Sequence, residues 1–291
     1  MNEFIPISIE HQNMLNNPNC NFSLYSPRMV VWEWKGGKLE IYKGEEKNKD
    51  KDDNKKKKKD ESALGRLRDQ SEKSYHQVKK FLDKKREVMK QYMESTERSG
   101  CKVFKFHVKS TSPFISGLGS GHPTETGMIL DRNIGVPYIP ASSIKGVMRF
   151  AHALNIANGR TEVPDSELEK YFGTTDEQKK EQKDKHRGQL MFFDAYPTTT
   201  PKLKMDIMNP HYGSYYQGGG KIQPVETETP VPIKFISVEE GLEFDFYCIF
   251  EPLQDEACNE SEIKEMFRTA FEKVGFGGKT AIGYGRFKEV I

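Results

Sequence analysis

The chain has 291 residues, with 45 Lys and Arg against 43 Asp and Glu and a formal net charge of +2. That length is ample for the core of one large domain or two ordinary ones, while 35% hydrophobic against 30% charged residues leaves part of the chain solvated. No apolar run approaches the roughly 18–20 residues of a membrane helix, MNEFIPISIE lacks the regions of a secretory signal, and Cys20, Cys101, Cys248 and Cys258 form no CxxC pair. The expectation is a cytoplasmic protein without disulfide scaffold, metal, cofactor or membrane partner, whose near-neutral charge neither demands nor excludes nucleic acid.

Residues 45–61, EEKNKDKDDNKKKKKDE, hold no apolar side chain. They cannot offset their ordering entropy by burial, so a disordered loop is expected, with the Lys55–Lys59 run either solvated or touching RNA. Leu64, Leu67, Tyr75, Val78, Leu82, Met89 and Tyr92 then recur at helical spacing, predicting an amphipathic helix over 63–94 whose stripe Ser71 and Lys85 interrupt. It packs on the core or docks a partner. Over 102–109, Phe104, Phe106 and Val108 alternate with Lys105, His107 and Lys109, the pattern of a half-buried strand. Residues 110–141 are rich in Gly, Pro, Ser and Thr and read as a long irregular connection.

A helix follows, starting at Ser142 or Ser143, with Ile144, Val147, Met148, Ala151 and Leu154 on one face. Residues 189–194 read as a strand, and Leu242, Phe244, Phe246, Cys248 and Phe250 mark another. Ile263, Met266, Phe267, Ala270, Phe271 and Val274 trace a second helix closed by Gly275, before a last strand near 284–290. Strand–helix–strand taken twice is the order of an α+β, ferredoxin-like (split βαβ, RRM-like) sheet. No RNP-type aromatic signature is present, so RNA would meet loops and helix ends and not the sheet face.

Three clusters can carry chemistry. In the first, GLGSGHPTETG (117–127) leads through Pro137 and Pro140 into the helix, where Ser142 or Ser143 is placed to cap. Free N–H groups at such a start attract phosphate. Lys145 and Arg149 share one helical face, and Gly146 between them lets a polymer approach; an ordinary capped helix with two solvated cations is the plainer reading. In the second, Gly275 to Arg286 is a glycine-rich loop in which Gly277, Gly278, Lys279 and Thr280 offer amides and charge, Arg286 a second charge and Tyr284 a stacking face. It is no P-loop, because Lys273 stands where that pattern needs glycine. The third, 198–230, places His211, Tyr212, Tyr215, Tyr216 and Lys221 in a stretch suited to base stacking or to a subunit contact. His122, Glu125 and Asp131 share one loop and have the residue types of general acid–base cleavage, but nothing fixes a nucleophile.

Together, GLGSGHPTETGMILDRNIGVPYIPASSIKGVMR and GFGGKTAIGYGRF resemble the RAMP superfamily of CRISPR effector subunits. With MFFDAYP (191–197), NPHYGSYY (209–216) and PVPIKF (230–235) they are similar to the family of sixth subunits of the type III-B Cmr complex. Departures are Ala141, where many members have glycine, and the 45–94 segment, which has no match. The resemblance implies residues 1–44 as the N-terminal part of the RAMP domain, 45–98 as an insertion and 99–291 as the core, with 199–230 as a thumb. It further implies a subunit that does not cleave RNA, binds CRISPR RNA near its 3′ end beside target RNA, contacts other Cmr subunits and caps their filament. Ser142, Ser143, Lys145, Gly146, Arg149 and His122 would meet the guide from one side, and the glycine-rich loop would clasp it from the other. A metal-independent endoribonuclease working through the His122 loop, and a purely structural subunit, are the competing readings.

Overall fold

The computed structural model describes residues 32–35, 38–41, 63–119, 122, 126–159, 165–174, 187–209, 212–219, 221, 223–225, 230, 232–252 and 257–290. The expected loop over 45–61 lies outside them, as do Glu125, His211 and the side chain of Tyr216.

The strands are β1 (Trp32–Lys35), β2 (Lys38–Ile41), β3 (Lys102–Ser110), β4 (Leu190–Phe192), β5 (Tyr196–Pro197), β6 (Leu203–Met208), β7 (Ile233–Val238), β8 (Glu243–Phe250) and β9 (Phe287–Glu289). The helices are α1 (Ala63–Arg98), α2 (Ala141–Ala157), α3 (Asp165–Phe172), α4 (Gly213–Gln217) and α5 (Glu260–Thr269), the last continued by one π-helical turn, Ala270–Val274. The main sheet is antiparallel in the order β4-β8-β3-β9, with β5 also on β8. The chain thus runs β3–α2–β4 and β8–α5–β9, each unit with a strand of the other between its own two.

Alternation decides the faces. Phe104, Phe106 and Val108 of β3, with Phe244, Phe246, Cys248 and Phe250 of β8, are all buried and meet the apolar stripes of α2 and α5. Phe106 stacks on Phe267 at 4.2 Å, and Phe271, Phe276 and Phe287 close the cluster around Phe246 at 5.1–5.9 Å. Each such ring contributes roughly 1.5–3 kcal/mol by leaving water. On α2, Ile144, Met148 and Ala151 are buried as the spacing predicts, while Val147 and Leu154 lie at the margin. Asn259 caps α5 by accepting from Glu262 N, and Gly275, at φ 80°, leaves the π turn in a conformation that side chains avoid.

The second face of the sheet is covered too. Helix α1 extends to Arg98 and packs across β3 and the β6–β7 ribbon, so the choice between core and partner falls to the core along most of its length. Met93 joins Tyr247 and Ile249 in a small second cluster, and Arg86 reaches Asp245 at 3.3 Å. This cover explains why β8 is buried on both faces, with Tyr247 and Ile249 on the side of α1. Ser71 does not break the stripe of α1: it is fully buried, its hydroxyl donating to Arg68 O at 2.6 Å, whereas Tyr92, assigned to the stripe, is 52% exposed. Lys85, the other interruption, lies 3.8 Å over the Tyr196 ring.

From the 198–230 stretch, β6 pairs with β7, which follows that stretch, in register from Leu203↔Val238 to Met208↔Ile233. This two-stranded ribbon is rooted by buried Leu203, Phe235 and Val238 and tied to the body by the Phe114↔Val238 bridge. The sequence reading had no ribbon there, because β6 alternates Lys204 and Asp206 with Met205 and Ile207 too weakly to mark a face.

Candidate nucleic-acid interface

The start of α2 is built from three segments. Pro140, extended at φ −62° and ψ 142°, is the N-cap and makes no side-chain cap bond. Ser142 and Ser143 are exposed in the first turn, so neither caps the helix; the expectation that one would is corrected. The cap arrives from 53 residues away, where Asp194 Oδ1 accepts from Ala141 N at 2.7 Å. A carboxylate here complements the positive end of the helix dipole. The isolated Ile139↔Ala195 bridge holds together the two segments that place it.

Beneath this start, in the 110–140 connection, the turn at 131–134 is locked. Asp131 Oδ1 accepts from Asn133 N and Ile134 N at 2.8 and 3.0 Å, and its Oδ2 accepts from Tyr196 OH at 2.6 Å. Burial pushes this carboxyl up, but the bonds from Tyr196, Ile134 and Asn133 and the nearby Lys85 charge outweigh it and hold it below its ordinary range. Tyr196, stacked on Tyr138 at 5.4 Å, is pushed far up by burial and by Asp131. Asp131 is thereby committed to a turn, while His122 is half-buried in the same connection.

Along the outer face of α2, Lys145 is exposed and Arg149 half-exposed, and neither makes an ion pair among the described residues. A Cβ on Gly146 would meet nothing within 4 Å. One turn on, Phe150 is 59% exposed. Sequence reasoning missed Phe150, although its place four residues after Gly146 set it on the outward face.

The glycine-rich loop presents the same residue types with different bonding. Gly278 N donates to Ile115 O at 2.6 Å, Gly285 N to Pro113 O at 2.8 Å, Phe276 N to Gly285 O at 2.9 Å and Gly283 N to Thr280 O at 3.0 Å. Gly285, at φ 68°, lies against the Phe276 backbone so closely that no Cβ fits. Arg286 donates to Val274 O and, at 3.0 Å, to Thr280 O, capping the π turn from inside; burial lowers its pKa. Tyr284 OH donates to Asp206 of the ribbon, and burial and that carboxylate push it up to about 12. Lys279, left-handed at φ 60°, lies 5.2 Å over the Phe235 ring. Of the amides offered to a phosphate in this loop, that of Gly278 is spent within the fold, as are the side chains of Tyr284 and Arg286. The structure does bring the two glycine-rich clusters together, with Gly277 and Gly278 against Ile115 and Leu118. Of the third cluster, Tyr212 and Tyr215 are half-buried and Lys221 exposed.

The pattern of the RAMP superfamily matches residues 107–288, which run from β3 to β9. The Cmr6 subunit of the CRISPR system Cmr of Pyrococcus furiosus is 32% identical over 240 aligned residues, covering 63% of this chain and 67% of that protein. The Cmr6 subunit of Saccharolobus solfataricus is 23% identical over 218, covering 72% of this chain and 64% of its own length. The chain thus spans about two thirds of these relatives. A solved structure of the type III-B Cmr-beta bound to cognate target RNA holds a chain that aligns with 82% of this one and 76% of itself, at a TM-score of 0.51 and 20% identity; that likeness is one of fold. Covering both helices of the sheet and both glycine-rich stretches, the match shows that this chain belongs to the RAMP superfamily, alongside the Cmr6 subunits.

Proposed function

We propose that the protein is a non-catalytic, RNA-contacting subunit of a type III-B CRISPR effector, set near the 3′ end of the guide RNA and capping the stacked backbone of the complex. The supporting relatives are Cmr6 subunits, and the fold neighbour is a Cmr complex bound to target RNA. The strand order β4-β8-β3-β9 supports reading the core as ferredoxin-like.

The observation that carries the RNA contact is the outward face of α2. Lys145 and Arg149 are cations one turn apart that make no ion pair among the described residues, Gly146 opens the backbone between them, and Phe150 offers a face for a base. Such contacts read phosphate and stacking, not sequence, as a subunit serving many guides requires. The glycine-rich loop then acts mainly as a brace, joining α5, the 113–118 segment and the ribbon. The His122 loop is assigned no chemistry, because Asp131 holds its turn and Tyr196 takes the free carboxylate oxygen.

The test is gel-shift binding of labelled guide RNA carrying its repeat tag, at two salt concentrations in EDTA, for wild type and for Lys145→Ala/Arg149→Ala. Expected are salt-sensitive binding without cleavage, and weaker binding in the variant. Discrete products in EDTA would establish the ribonuclease reading instead. Absence of binding by the isolated chain would favour the purely structural one.

A further inference from the structure

The sheet ends on a strand that is too short for its neighbour. β3 has nine residues, but β9 pairs only with Val108, Lys109 and Ser110. One more bond, Val290 N to His107 O at 2.9 Å, prolongs the ladder. The directions of the bonds along β3 are set: Ser110 N donates to Leu242 O on the β8 side, whereas Thr111 N donates to Arg286 O and His107 O accepts on the β9 side. Alternation of the antiparallel ladder therefore turns the N–H and C=O groups of Val103 and Lys105 outward, with no strand beside them among the described residues.

That open edge lines one wall of a 360 Å³ groove. Phe104, Phe106 and Phe271 form its apolar floor, and α5 supplies the opposite wall with Lys264 and Arg268. Five of its lining side chains are Lys or Arg against three Glu, so the lining is net positive. Lys102 and Lys264 share Glu260, Arg268 pairs with Glu265 and Lys105 lies 3.8 Å from Asp245, while Lys288 makes no ion pair among the described residues. Natural edge strands carry lysine to repel further copies of themselves, and β3, KVFKFHVKS, has three lysines and a histidine and no acid. A second copy of β3 is thus disfavoured at this edge, and an acidic strand is favoured.

We propose that this groove is a strand-addition site for an extended acidic segment of a partner protein, which pairs with Val103 and Lys105 in line with β9. Main-chain bonds supply the affinity and the basic rim the choice of partner. The site stands on the sheet edge, and it holds or fails independently of the RNA contact at α2.

The test uses the full chain and two fluorescent seven-residue probes, one alternating Glu with Val and one alternating Lys with Val, read by anisotropy. The acidic probe is expected to bind about tenfold or more tighter than the basic one, with weaker binding as salt rises. Val103→Pro removes an outward N–H and leaves the bonds to β8 intact, a change that edge strands tolerate; it should abolish binding. If that variant loses its thermal transition, Lys264→Glu/Lys288→Glu, on exposed positions, decides the matter by reversing the preference between probes. No binding, equal binding of both probes, or binding indifferent to the substitutions would overturn the proposal. So would a concentration-dependent dimer that Val103→Pro dissolves, since the edge would then belong to a second copy.

Discussion

Two clusters of this protein pair a glycine with basic residues, and they use them in opposite ways. At the start of α2, Lys145, Gly146 and Arg149 face outward, and neither cation makes an ion pair among the described residues. In the glycine-rich loop, Lys279 lies against Phe235 and Met208, Arg286 caps a π turn, and the glycines donate to Ile115 and Pro113. Composition is the same, but one set is attached to a helix surface and the other to a crossing of three backbone segments. A glycine between basic residues therefore leaves its cations at the surface only when something other than the glycine holds the local backbone.

The difference is sharpest under substitution. Gly285→Ala forces a left-handed alanine, costing roughly 1–2 kcal/mol, and drives a methyl into the Phe276 backbone, costing roughly 1–3 more. A drop of that combined size in the denaturation midpoint is expected, whereas Gly146→Ala should raise stability slightly. Lys145→Ala/Arg149→Ala should weaken guide binding about tenfold and lower its log–log salt slope by about 1.4 if each contacts one phosphate of a single strand. Its stability should stay within about 0.5 kcal/mol. A change in melting that matches the change in affinity would erase the distinction between the two clusters. Asp194→Ala removes the remote cap of α2 and should cost about 1 kcal/mol, with Asp194→Asn recovering part of it.

The smallest effect is with pH. His152 of α2 is fully buried, its ring against Tyr171 of α3 and its Nδ1 3.4 Å from the Glu262 carboxylate of α5, and burial holds its pKa below the ordinary value. The unfolded chain then binds the proton first. Stability from this group is whole above about pH 6.5 and falls as pH drops through that value toward the lower folded pKa. Urea titrations at pH 8 and pH 5.5 should show the loss in wild type and a smaller one in His152→Leu.

Much of the core was readable because its signals are local and periodic. Phe104 to Val108, Leu242 to Phe250 and the stripe from Ile263 to Val274 all lie where their spacing put them. What escaped was carried by distant partners. The Asp194 cap joins residues 53 apart, and the Tyr284–Asp206 bond spans 78. Neither leaves a mark within a window of sequence, so Ser142 looked like a cap and Tyr284 like a free ring. Tyr247 and Ile249 did leave a mark: apolar side chains in the polar phase of β8 announce a second covering layer, which is α1.

That layer also sets a schedule. Helix α1 is made early, but its contact from Arg86 to Asp245 must wait for 159 further residues. At about 5–20 residues per second, synthesis leaves the helix without its sheet for roughly 8–30 s. During that interval Met93 waits for Tyr247 and Ile249 of β8, the other buried members of its cluster. A chain that stops before β8 leaves Phe104, Phe106 and Val108 without the central strand they pair with, so truncation before Glu243 should yield aggregates and not a smaller fold.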